Sequence, residues 1–70
     1  MSPVDGATSR RERQRFIIDL VEKDAGITRK QVIRIMMLRE GLTPSTIQKM
    51  IDDMVDFDII QEIDGRLYPI

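Results

Sequence analysis

Leu38-Arg39-Glu40-Gly41-Leu42-Thr43-Pro44-Ser45-Thr46-Ile47 holds the end of one helix and the start of the next, about three residues apart. Gly41 tolerates the left-handed backbone that closes a helix. Thr43 is an N-cap residue whose side-chain oxygen accepts from a free N–H of the first turn. Pro44 fits the first helical position, where its missing N–H costs nothing. Leu42 before the cap and Ile47 after it form a hydrophobic staple. Two helices joined this tightly make a helix-turn-helix.

Working back toward the N-terminus, Thr28-Arg29-Lys30-Gln31 has the spacing of a capping box, with Ile27 and Val32 as its staple. A second helix over 29–40 follows, carrying Val32, Ile33, Ile35, Met36, Met37 and Leu38. Further back, Ser9-Arg10-Arg11-Glu12 reads as another capping box. Phe16, Ile17, Leu20 and Val21 then recur as one stripe of an amphipathic helix over 10–24 that stops before Gly26. Residues 1–8 are small or helix-breaking and read as a flexible N-terminal arm, with the domain over 9–70.

Working forward, Ile47, Met50, Ile51, Met54 and Val55 form the buried stripe of a third helix over about 44–57. The period then changes. Ile59 to Ile63, Asp64-Gly65, and Arg66 to Ile70 read as strand, tight turn, strand, because Asp-Gly suits a type I′ turn. Pro69 cannot donate to a ladder and implies an edge strand. Residues 25–27 are a candidate short strand to pair with this hairpin. The expected fold is α+β: a winged helix-turn-helix, a three-helix bundle with a C-terminal two-stranded β-hairpin wing.

Composition removes several function classes. Seventy residues make at most one domain. The chain has neither cysteine nor histidine, which rules out a disulfide scaffold and any Cys/His zinc site and removes the commonest acid–base catalyst. There is no Gly-rich phosphate loop and no nucleophile–base pair. Asp52 and Asp53 diverge by ~100° on a helix and do not readily share a substrate. No catalytic residue, metal site or small-molecule cofactor is expected. No apolar run is long enough to span a bilayer, and the N-terminus lacks a signal-peptide core, so no membrane partner is expected and the default location is the cytoplasm.

The chain resembles the winged-helix superfamily of small prokaryotic, particularly archaeal and viral, DNA-binding proteins. The residues that carry the likeness are Gly26-Ile27-Thr28-Arg29-Lys30-Gln31-Val32, Leu42-Thr43-Pro44-Ser45-Thr46-Ile47, and Met54-Val55-Asp56-Phe57-Asp58-Ile59-Ile60 followed by Asp64-Gly65-Arg66. Together they span about residues 9–70. The resemblance implies a recognition helix beginning at Pro44, with Ser45, Thr46, Gln48 and Lys49 facing double-stranded DNA. It also implies Thr28, Arg29 and Lys30 on phosphate and Arg66 at the wing tip. The implied role is that of a small transcriptional regulator. Gln48 can pair with adenine and Lys49 can donate to guanine.

Charge divides along the chain. Residues 1–40 carry nine Lys/Arg against six Asp/Glu, and residues 41–70 carry two against six, giving +3 and −4 and the net −1. Arg10, Arg11, Arg13 and Arg15 fall within six positions. Arginines oppose the dipole at a helix N-terminus, so Arg10 and Arg11 are further candidate phosphate contacts. Against DNA stands the third helix's outer face, where Ser45, Lys49, Asp52, Asp53 and Asp56 give one positive charge and three negative. Lys49 is placed to offset Asp52 or Asp53 at i+3 or i+4. Met37 and Leu38 on the second helix, with Ile18 on the first, lie outside the core stripes and mark an interface for a homodimer or protein partner. The alternative function is therefore a protein–protein adaptor, docking through the acidic face of helix 3 or this apolar patch. Phe57 and Tyr68 are expected in the core.

Overall fold

In the computed structural model the backbone is described for residues 5–70 and side chains for residues 10–70. The elements run α1 (Asp5–Lys23), β1 (Ile27–Thr28), α2 (Arg29–Glu40), α3 (Pro44–Asp56), β2 (Ile60–Ile63) and β3 (Arg66–Pro69). Helix α1 passes through Ser9, so Ser9 lies within the helix and not at its start. The Ser9–Glu12 capping box is therefore not the start of α1, the expected arm over residues 1–8 is helical from Asp5, and residues 1–4 lie outside the described residues.

The other helix starts follow the sequence signals. Thr28 ends β1 and caps α2: the Gln31 N–H donates to Thr28 Oγ1 at 3.2 Å, and the Thr28 N–H donates to Gln31 Oε1 at 3.0 Å. Gly41 closes α2 at φ 69°, its N–H donating to the Met37 carbonyl. Thr43 caps α3, and its hydroxyl lies 2.9 Å from that of Thr46.

The far end of α3 has a stop that composition did not announce. Asp58 is left-handed at φ 57°, its N–H donates to the Val55 carbonyl at 3.1 Å, and the Ile59 N–H donates to the Met54 carbonyl at 2.9 Å. This is a Schellman motif with Asp in the place usually held by glycine. Asp tolerates it better than most residues because its short side chain adapts to the left-handed region.

The wing has three strands rather than two, in the order β1-β3-β2 and antiparallel throughout. Asp64 and Gly65 both have positive φ, 53° and 77°, as a type I′ turn requires. The hairpin aligns Ile63 with Arg66, Glu62 with Leu67, Gln61 with Tyr68 and Ile60 with Pro69. Strand β1 adds only Ile27 opposite Leu67 and Thr28 opposite Arg66. Pro69 therefore lies on the central strand and not on an edge strand. It is accommodated because β1 is too short to reach it. Pairs alternate outward from the two-residue turn, so Pro69 also falls where no N–H is needed toward β2. Its carbonyl accepts from Gln61 Nε2 at 3.1 Å.

Every element contributes to one core: Ile17 and Val21 from α1, Ile27 from β1, Val32 and Met36 from α2, Ile47, Ile51 and Met54 from α3, Ile60 from β2 and Leu67 from β3. A fully buried side chain of this kind gains about 1.5–3 kcal/mol from leaving water. With so short a chain, the core depends on contributions from all six elements. This is a winged-helix arrangement, with α3 as the outermost helix of the turn and the sheet beside it. None of the described helices is long and apolar enough to cross a membrane.

Candidate nucleic-acid interface

The exposed surface of α3 divides into two flanks. Ile47, Ile51 and Met54 face inward and leave Ser45, Thr46, Gln48, Lys49, Asp52, Asp53 and Asp56 exposed. One flank faces α1. There Thr46, Lys49, Met50, Asp53 and Phe57, spaced along one side of the helix, meet Arg10, Arg13 and Gln14 across a groove of about 530 Å³. The other flank faces the wing and carries Asp52.

On the wing side Arg29 forms a three-way junction. It is the first residue of α2, and its guanidinium reaches Glu62 on β2 and Asp52 on α3. Nε donates to Glu62 Oε2 at 2.6 Å, Nη2 to Glu62 Oε1 at 2.9 Å, and Nη1 to Asp52 Oδ1 at 2.5 Å. Glu62 shares the inward side of β2 with Ile60, so its carboxylate emerges at the margin of the core, and the Arg29 and Glu62 side chains are each only 24% exposed. Hydrogen bonding from Arg29 holds the Glu62 carboxyl below its usual range, against the opposing effect of partial burial. A paired fork of this kind is the strongest of the ordinary protein ion pairs.

The sequence-derived contacts therefore separate. Arg29 is engaged by two carboxylates of its own chain and acts as a strut rather than a free cation. Thr28 is occupied in the cap. Lys30 lies on the outer side of α2, beside Ile33, Arg34, Met37 and Leu38, and not beside α3. Arg66 is exposed at the wing turn, with Nη1 donating to the Gly26 carbonyl at 3.0 Å. Ser45, Thr46, Gln48 and Lys49 are all exposed. Arg10 and Arg11 point to different sides: Arg10 lines the α3 groove, whereas Arg11 lies with Arg15, Phe16, Asp19 and Arg39. Arg13 takes the second place in the groove while also bonding Glu40 at 3.2 Å.

Three expectations about the surface change. Asp52 is neutralised by Arg29, not by Lys49. Phe57 is 76% exposed, because the Schellman turn swings it out at the corner after α3, whereas Tyr68 is half-buried beside Gly26 as expected. Ile18 is half-buried against the core and does not line the depression that holds Met37 and Leu38. The sequence reading missed Phe57 as a surface residue because the Asp58 stop carries no glycine signal. It missed that Arg10 and Lys49 line one groove because no periodicity reports which helices lie side by side.

No protein-family model, no curated protein and no solved structure matches this chain.

Proposed function

We propose that the chain is a DNA-binding member of the winged-helix superfamily, a small transcriptional regulator whose α3 enters the major groove by its N-terminal half. One observation carries this reading. The first two turns of α3, Pro44 to Ile51, contain no carboxylate, and their exposed residues Ser45, Thr46, Gln48 and Lys49 lie on the helix that borders the groove lined by Arg10 and Arg13 of α1. The acids begin at Asp52, which Arg29 already holds. Eight residues at 1.5 Å each give about 12 Å of helix, the reach of about three or four base pairs at 3.4 Å.

Ser45, Gln48 and Lys49 are the candidate base readers, with Lys49 and Gln48 suited to purine edges. Arg10, Arg13 and Arg66 supply phosphate contacts, and the helix N-terminus adds free N–H groups and its positive dipole end. Arg29 serves this reading indirectly, by fixing the angle between α2, α3 and the wing.

Titration with short duplexes, followed by amide chemical shifts and fluorescence anisotropy, tests it. Shifts are expected at residues 43–49 and 64–67. Affinity should fall with salt at a log–log slope of about −3, as expected for three or four phosphate contacts. Lys49→Ala should alter site preference, and Arg10→Ala should weaken all sequences alike. Amides at 43–49 that stay unmoved by duplex at low salt overturn the proposal.

A further inference from the structure

Two exposed features complement each other, one remote from that interface on α2 and one at the far end of the α1–α3 groove. The first is a depression of about 400 Å³ on the outer face of α2, formed by Ile33, Met37 and Leu38 and bordered by Lys30 and Arg34. Leu38 is 84% exposed and Met37 41%. Neither Lys30 nor Arg34 has an ion-pair partner among the described residues. An apolar hollow bordered by unpaired cations is suited to an apolar group flanked by carboxylates.

The second feature is such a group. Phe57 projects from the corner after α3, between Asp53 and Asp56 on the helix and Asp58 in the turn. None of these three acids has an ion-pair partner among the described residues. The corner is firmly built: the Phe57 N–H donates to the Asp53 carbonyl at 2.9 Å, and the two Schellman bonds fix the residues after it. An exposed aromatic side chain belongs to the residue types enriched at protein interfaces, and its flanking acids restrict it to a cationic rim.

We propose that Phe57 of one copy seats in the Ile33–Met37–Leu38 depression of a second copy, with Asp56 and Asp58 facing Lys30 and Arg34. The contact joins two different surfaces. A two-fold axis closes it into a dimer with both contacts made at once, and without that axis it extends into a chain of copies. It does not rest on the DNA reading. Phe57 stands at the far end of the groove that Lys49 and Arg10 share, eight residues beyond Lys49 and about 12 Å along the helix.

The test exploits the two-sidedness. Wild-type protein at about millimolar concentration should sediment with an average mass above 8.1 kDa that rises with concentration. Phe57→Ser removes the knob and Leu38→Lys spoils the hollow. Both residues are exposed, so each variant should keep the wild-type circular dichroism and melting behaviour. Each alone should sediment as a monomer. Mixed in equal amounts they should associate, because one variant retains the hollow and the other the knob. A monomeric wild type, continued self-association of Phe57→Ser, or a mixture that stays monomeric overturns the proposal. The last two outcomes would point instead to a contact between like surfaces or to another partner for α2.

Discussion

Replacing Arg29 by Met retains most of the aliphatic packing and removes the cation that joins α2, α3 and β2. An exposed ion pair is worth less than about 1 kcal/mol, and breaking a fully buried one costs about 3–5 kcal/mol. Arg29 and Glu62 lie between these limits, each about three-quarters covered, while Asp52 is 52% exposed and adds little. The substitution also leaves Glu62 partly buried with no counter-charge, and a loss of about 2 kcal/mol is expected. With an unfolding entropy of roughly 2.1 cal/mol/K per residue, that loss lowers Tm by about 14 °C for a chain of this size. Thermal melts followed by circular dichroism read this directly, with Arg15→Met as the control. The Arg15–Asp19 pair is 73% and 59% exposed, so its loss should move Tm by no more than a few degrees. The pH dependence supplies an independent arm. The folded-state pKa of Glu62 is depressed, so its stabilisation is fully present above the unfolded carboxylate range of about 4.3 and disappears as pH falls through the lower folded value. Arg29→Met and Glu62→Gln should each flatten that acid limb, and together they should cost at least about 1 kcal/mol less than the sum of the two. An Arg29→Met protein that melts within 3 °C of wild type (roughly 0.5 kcal/mol on the same entropy scale), or that keeps the full acid limb, would refute the assignment of the junction as a structural strut.

Two further predictions concern the helix end and the core. Asp58→Gly should stabilise the fold by about 0.5–1 kcal/mol in urea melts, since glycine adopts the left-handed conformation without penalty at a position with φ 57°; a loss of stability would mean that the Asp side chain contributes more than its backbone conformation costs. Met36→Ala, at a fully buried position, should cost about 2–5 kcal/mol. Out of a total expected near 4–10 kcal/mol for a chain of this length, that should visibly populate the unfolded state in native-state hydrogen exchange.

The helices and the hairpin were legible because their signals are local. Thr28 with Gln31, Thr43 before Pro44, and Asp64-Gly65 each specify a boundary within four residues, and α2 and α3 begin where those residues place them. The third strand was only partly legible: β1 has two residues, and its pairing with Arg66 and Leu67 spans nearly forty positions. The helix 3 surface was legible as a list of exposed residues but not as an electrostatic surface. In sequence Asp52 reads as a partner of Lys49 and Arg29 as a phosphate contact, until the fold brings Arg29 between Asp52 and Glu62. Hydrophobicity alone places Phe57 inward, since the stop that turns it outward depends on an Asp adopting a conformation more often given to glycine.

The brevity of β1 leaves the far half of β3 without a neighbour on one side, a stretch where a stray strand from another molecule would ordinarily add on and seed aggregation. Tyr68 turns its main-chain groups toward β2. Pro69 has no N–H to offer, and its carbonyl already accepts from Gln61. The bare flank therefore presents nothing for an intruding backbone to grip. A single proline and one glutamine side chain thus leave this flank of β3 with no free main-chain group for a stray strand.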